Sequence, residues 1–565
     1  MSEKTKKQQN FERGAIILLA STIIVKIIGA IFKIPLQHLI GNDGFGYFSS
    51  AYDLFLPIYA LSMAGLPIAV SRMTATYMAE ERFKDVRKTL TIAQRAFLVT
   101  GIVGFIIMLV AIYFYVGATT ANSTEAKYVA ICSVMIAPTI LFCSYMSAYR
   151  GYYEGMHNMF PTAVSDVIEA LGKLILGFSF AYIVLKITSN VAYAAAGALF
   201  GITVGTIAAA AFLVLRHKIG GDSIDKNKYD LSTECNTGKM ILKALVVIAV
   251  PVALSSLANN ITLFIDTFMV KWQLKNVMDT SYDFVCNMYA ASMVDEGGVS
   301  KEVMPTFLYG IRGEAYTLYN LIPTITATLG IGSVPFLTTV WVNKDLPNVK
   351  KTMETILRTT AVIAIPAGIG LCSISPYVMG LLYDGVAPVE IGGPLLRMLG
   401  IAAVFSGLSV PMTNMLQAIG KPMLPVRNIA IGACLKIIVN IILVGRPELN
   451  IMGAPIGTTI CYVFIFVSNL FCLIKFTGVR FNFVSVIIKP FISALCCGVA
   501  AYFVSMLCDY LSLGNLITVG CSVAVAAAVY ILVLFGIKTL SREDIEGFPK
   551  GKKIAEVLEK LHFIR

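Results

Sequence analysis

The feature that most narrows what this chain can fold into is the recurrence of long apolar runs. From Gly14 to Ile537 the sequence keeps returning to stretches of about 20 or more mostly apolar residues, separated by short polar segments. A helix rises about 1.5 Å per residue, so about 20 such residues cross the ~30 Å hydrocarbon layer of a bilayer. Fourteen stretches meet that length. With 57% hydrophobic and 14% charged residues over a 565-residue chain, the apolar surface exceeds what one soluble core encloses. The expected fold is an all-α integral membrane protein with 14 transmembrane helices.

The basic residues orient the helices. With the N-terminus placed inside, Lys and Arg gather on inward-facing segments such as ERFKDVRK and the tail KTLSREDIEGFPKGKKIAEVLEK. Basic residues are retained on the cytoplasmic side of short loops, so both termini are expected in the cytoplasm. The net charge of +12 then expresses topology and contact with anionic membrane lipid. Nucleic acid is not an expected partner, because no separate soluble basic domain exists. The opening MSEKTKKQQNFERGAIILLA has the charged start of a signal peptide, but its apolar run is too long, carries Lys26 and Lys33, and has no small-residue cleavage site. It reads as helix 1.

The chain also repeats itself. DVRKTL at 85–90 returns as NVKKTM at 348–353, an offset of 263, and EGMHNMFPTAVSDVIEALGKLIL at 154–176 resembles QAIGKPMLPVRNIAIGACLKIIV at 417–439, which sets Lys173 over Lys436 at the same offset. That offset spans six helices, an even number, so both copies face the same way and form two parallel six-helix lobes around a central cleft. The expected domains are an N-lobe at 1–216 (helices 1 to 6), a cytoplasmic linker at 217–239, a C-lobe at 240–475 (helices 7 to 12) with an outer insertion at 272–306, helices 13 and 14 at 476–537, and a cytoplasmic tail at 538–565.

Several chemistries are excluded. There is no Gly-rich Walker loop to cradle nucleotide phosphates, which argues against an ATP-driven pump. His38, His157, His217 and His562 lack ligand spacing and none of the 12 cysteines forms a C-x-x-C pair, so no metal site is expected. The informative residues are the charges inside the apolar runs. A charge at the bilayer centre costs about 2.5–3.5 kcal/mol on insertion scales, so such groups face protein or a watery cavity. The cations are Lys26, Lys33, Arg72, Lys173, Arg312 and Lys436, and the acids are Asp53, Asp166, Glu169, Asp266 and Glu314. Lys26 and Lys33 lie two turns apart on one face of helix 1. Lys173 is expected to pair with Glu169 one turn earlier. Arg72 either faces the cleft or reaches back to the inner surface. Arg312 and Glu314, two residues apart, point to different sides of their helix, which marks Arg312 as a candidate for function. A cleft so rich in cations suits an anionic substrate, and a guanidinium fork matches phosphate oxygens.

The stretches GAIFKIPLQHLIGNDGFGYFSSAYDLF, AGLPIAVSR, YRGYYEGMHNMFPTAVSDVIEALGK and YGIRGEAYTLYNLIP resemble the stage V sporulation protein B and MurJ branch of the polysaccharide-transport family, in the superfamily that also holds the MATE drug exporters. The resemblance covers nearly the whole chain. It implies a non-enzymatic flippase of the bacterial cytoplasmic membrane that carries lipid II, the undecaprenyl-diphosphate-linked disaccharide pentapeptide of the cell wall, to the outer leaflet by alternating access. It implies a lipid-linked anionic substrate, with cell-wall synthesis proteins as further partners. By the same resemblance Lys26, Lys33 and Arg312 are diphosphate-binding candidates and Asp53 is a polar or gating residue of the cleft; Arg72, as a further cation in the apolar runs, is added to the diphosphate-binding candidates, and Glu314 to the polar or gating residues. Arg72 lies further along helix 2 than the family's arginine. Asp266 resembles a helix 7 sodium ligand, but helix 11 offers Lys436 and Asn440, whose ammonium takes a cation's place. No cofactor is expected, and coupling falls to sodium or the membrane potential. The helices 13 and 14, rich in small residues, serve either close packing or a groove for the polyprenyl tail. The alternatives are a flippase for another polyprenyl-linked oligosaccharide, a cation-coupled MATE-type drug exporter, and a non-transporting scaffold for wall assembly.

Overall fold

The structure, a computed structural model, describes residues 3–537 except 64, 120–122, 157, 222–223, 225–228, 230–235, 251–265, 290–302 and 385–387. The expected tail at 538–565, the middle of helix 7 and part of the outer insertion therefore lie outside the described residues, as does the side chain of Lys26. The described residues are predominantly helical, with no strand among them, and 11 segments of them are long and apolar enough to cross a membrane.

Contacts divide the chain into two units. The first runs to Lys275 and takes in the segment that ends at Gly310; the second holds the segment from Asn276 and the chain from Ile311 onward. The described residues of 240–275, expected from sequence to open the C-lobe, thus count with the first unit.

The first unit is built from α1 (Glu3–Met63), α2 (Leu66–Ala79), α3 (Phe83–Thr119), α4 (Ser123–Ile136), α5 (Thr139–Gly155), α6 (Phe160–Thr188), α7 (Val191–Gly220) and α8 (238–250). Long apolar runs continue through several of the breaks between them. What ends each helix is local: Gly65 and Pro67 separate α1 from α2, and Pro138 separates α4 from α5. Inside α1 one residue departs from helical geometry, Gly41 at φ 67° and ψ −177°. That left-handed value favours glycine, and it turns the chain between the first two expected helices within a single residue. Phe32, Phe45, Phe48, Tyr115 and Leu199 fill the core beneath the turn.

The turn also lets another segment come close. The first residues of α10 (Met304–Tyr319) lie so near α1 that a Cβ on Gly46 would overlap the Thr306 carbonyl oxygen, and one on Gly310 would overlap that of Asn42. Gly46→Ala should therefore push the two backbones apart and cost roughly 1–3 kcal/mol. The check is the thermal midpoint of the purified protein, which should fall; an unchanged midpoint contradicts the contact.

The second unit holds α11 (Leu321–Val342), α12 (Leu346–Ser373), α13 (Ser375–Tyr383), α14 (Val389–Ala418), α15 (Met423–Val444), α16 (Gly453–Thr477), α17 (Lys489–Tyr510) and α18 (Asn515–Gly536). Its interior carries a neutral polar ladder: Asn428 donates to Asn469 at 2.9 Å, and Asn469 to Thr413 at 3.2 Å, joining α15, α16 and α14. The small residues of α17 form a buried stripe, Ser493, Ala494, Cys497, Gly498, Ala501, Ser505 and Cys508, and Gly498 lies against Ile369 of α12. Close packing accounts for that stripe. The start of the outer insertion is itself helical, as α9 (Lys271–Tyr289), broken at Ser281 and tied at its end by Tyr289 Oη, which donates to Asn450 at 2.7 Å.

Candidate functional site: interior cations on tyrosine faces

In the first unit the second half of α1 places Phe48, Tyr52, Phe55 and Tyr59 along one side at helical spacing, their rings in contact at 5.6, 6.1 and 5.2 Å between successive centroids. Two ammonium groups converge on this ladder. Lys173 Nζ from α6 stands 4.8 Å from the centre of Tyr52 and 5.3 Å from that of Phe32, and it donates to Tyr52 Oη at 3.3 Å. Lys33 Nζ stands 5.5 Å from the same Tyr52 ring. The negative face of an aromatic ring holds a cation without neutralising it. Asp53, next along α1, accepts from Tyr309 Oη at 2.9 Å.

Beside this cluster is a cavity of about 340 Å³, lined by Tyr52, Phe55, Tyr59 and Lys173 at one side and by Arg150, Asp166 and Glu169 at another. The pairing expected of Lys173 with Glu169 is not formed. Arg150 of α5 takes both acids instead, Nη2 lying 2.9 Å from Asp166 Oδ1 and 2.9 Å from Glu169 Oε2, while its Nε donates to Ser165 at 3.0 Å. A guanidinium presents several rigid donors at once, which an ammonium one turn along the same helix does not.

A second polar cluster of this unit is fully enclosed. Lys271, at the start of α9, pairs with Glu125, at the start of α4, at 3.2 Å with side chains 0% and 1% exposed. Thr306 donates to the same carboxylate, and Lys271 Nζ lies 5.8 Å from the Tyr309 ring centre. Sequence reasoning missed this cluster and the role of Arg150, because each of these residues lies at the edge of an apolar run and reads as interfacial. The signal for Arg150 was present in YRGYYEGM.

In the second unit Arg312 is wholly buried on α10, its guanidinium 3.9 Å from the centre of the Tyr316 ring one turn on. Tyr316 Oη in turn shares a hydrogen bond with Thr458 at 2.6 Å. Glu314 is equally buried and lies within electrostatic reach of Tyr383. The two tyrosines stand in matching short stretches, AYDLF at 51–55 and AYTLY at 315–319. Lys436 and Asn440 lie one turn apart on the buried face of α15, where Asn440 rests against Gly457 of α16.

Not every predicted residue joins these groups. Arg72 is exposed on α2 and does not line the cavity. Asp266 is buried in the first unit, and Lys436 and Asn440 are buried in the second.

Residues 11–342 match the polysaccharide biosynthesis protein family, more than half of the chain. The chain belongs to that family. A second match, to the lipid II flippase MurJ family, covers residues 325–520 of this chain. Stage V sporulation protein B of Bacillus subtilis (strain 168) is 24% identical over 547 residues, covering 96% of this chain and 98% of that one. The lipid II flippase MurJ of the same organism is 24% identical over 473 residues, 80% of each chain. Among solved structures, a lipid II flippase MurJ in an inward closed conformation matches with a TM-score of 0.65 at 15% identity, over 92% of this chain and 98% of its own. The fold of this family member is thus that of MurJ, and it is a multi-pass membrane protein.

Proposed function

We propose that the protein is a flippase that moves a polyprenyl-diphosphate-linked cell-wall precursor, lipid II, from the inner to the outer leaflet of a bacterial cytoplasmic membrane by alternating access. The observation that carries this reading is the set of cations held on tyrosine faces inside apolar helices, Lys33 and Lys173 on Tyr52 and Arg312 on Tyr316. An interior cation is costly, so it pairs with an acid or faces a cavity and its ligand, and these cations have ring faces beside them. At about 4 Å and an effective dielectric near 20, one charge pair with a phosphate oxygen is worth about 4 kcal/mol before desolvation. The MurJ match and the MurJ relative support the choice of lipid II.

In this reading Lys26, Lys33, Arg72 and Arg312 contact the diphosphate, with Arg72 the most exposed of those whose side chains are described. Asp53 and Glu314 act as polar and gating groups. Asp266, Lys436 and Asn440 serve coupling, to sodium or to the membrane potential. The protein has no covalent chemistry of its own, its termini lie in the cytoplasm, and wall-synthesis proteins use the lipid it delivers.

The test is complementation in bacteria depleted of their lipid II flippase. Growth should return with lipid II exposed on the outer leaflet, and cells should gain no resistance to cationic dyes. Dye resistance without lipid II exposure would favour the exporter instead.

A further inference from the structure

Lys173 stands out in the first unit because its nearest acid has been taken away. Glu169 lies one turn before it on α6, in the Glu-to-Lys order that favours pairing along a helix. Yet Glu169 accepts from Arg150 at 2.9 Å, and Arg150 also reaches Asp166. The Lys173 ammonium is left with one hydrogen bond, to Tyr52 Oη, and two ring faces, and among the described residues it has no carboxylate partner. It lines a cavity of about 340 Å³. Lys33 Nζ stands 5.5 Å from the centre of the same Tyr52 ring and lies in electrostatic reach of Lys173. Two ammonium groups are thus brought to one ring, with Asp53 in electrostatic reach of Lys33 and no carboxylate paired with Lys173 among the described residues.

We infer that this cavity is an anion subsite in which Lys173 receives a phosphate or carboxylate group of the substrate, and that Arg150 is a positioning residue that keeps Lys173 available by holding Glu169. The inference rests on the lipid-linked anionic substrate proposed above. Its two sources of negative charge, the diphosphate bridge and the carboxylates of the peptide, share the chemistry the subsite recognises. Without Arg150, the Glu169 carboxylate turns to Lys173 and closes the subsite from within.

The experiment measures binding of two probes to the purified full-length protein: lipid II, and undecaprenyl diphosphate without glycan or peptide. Wild type should bind lipid II. Lys173→Gln should weaken that binding about tenfold, the equivalent of about 1.4 kcal/mol, and Lys173→Arg should retain most of it. Arg150→Gln should weaken it to a similar extent, and the double variant Arg150→Gln/Glu169→Gln should recover it, because no carboxylate one turn away then quenches the ammonium. A purely structural Arg150 would not be rescued by removing its partner. Loss with both probes assigns the subsite to the diphosphate; loss with lipid II alone assigns it to the peptide. Thermal midpoints measured alongside separate folding from binding, and if Arg150→Gln does not fold, the contrast between Lys173→Gln and Lys173→Arg decides alone. Undiminished binding of both probes by Lys173→Gln overturns the inference and leaves the lipid reading standing. Absence of binding by the wild type overturns both.

Discussion

Arg312→Ala should abolish rescue of flippase-depleted cells while leaving the protein in the membrane at wild-type level. The side chain is fully buried and its guanidinium is fixed on Tyr316 at 3.9 Å, so the fork is held in one orientation before substrate arrives. Losing the buried charge pair proposed between Arg312 and the diphosphate costs about 2–5 kcal/mol, which corresponds to a fall of roughly 30-fold to several-thousandfold in binding or rate. Arg312→Lys should be partly active, since it keeps the charge and loses the fork. Lys33→Ala should impair rescue too, by removing one of the two ammonium groups at Tyr52, and the same is expected of Lys26→Ala. Quantitative immunoblots of membrane fractions, read beside growth and outer-leaflet lipid II, separate loss of function from loss of protein. Wild-type rescue by Arg312→Ala, Lys33→Ala and Lys26→Ala alike would remove the diphosphate reading.

Glu125→Ala should destabilise the first unit by about 3–5 kcal/mol, because it leaves the Lys271 ammonium enclosed without its counter-charge. The pair is 0% and 1% exposed at 3.2 Å, and the same carboxylate accepts from Thr306, so one residue ties together the starts of α4, α9 and α10. Replacing both partners with apolar groups of similar size, as in Glu125→Leu/Lys271→Met, should recover most of that loss, since neither charge is then stranded. Thermal unfolding of the purified variants checks both. Equal midpoints for wild type and Glu125→Ala would show that the pair contributes nothing.

What the sequence made legible, and what it did not, follows from the range of the interactions involved. The apolar runs are local features, and the all-helical membrane character they imply is what the structure has, with 11 segments among the described residues long and apolar enough to cross a membrane. The finer breaks are harder to see, because the apolar pattern runs on through Pro138 and Asn320 while the helices do not. Burial of Arg312 and Glu314 was also foreseeable, since both sit in an otherwise apolar stretch. The partner of Lys173 was not. Helical spacing considers only residues on the same helix, and the guanidinium that captures Glu169 comes from another helix, 19 residues earlier. The Lys271 to Glu125 pair, 146 residues apart, lies further still beyond any periodicity argument. Long-range electrostatic partners depend on how the helices assemble, and a single sequence does not list which charge wins a shared acid.

The most direct test of the central claim is reconstitution. Purified protein in sealed proteoliposomes should move fluorescent lipid II between leaflets, seen as probe newly accessible to a membrane-impermeant quencher, at a rate well above protein-free vesicles and vesicles with Arg312→Ala. Screening weakens exposed phosphate contacts, so binding of lipid II should fall as salt rises. Wild-type vesicles that move lipid II no faster than protein-free ones, with the protein folded and correctly inserted, would contradict the account.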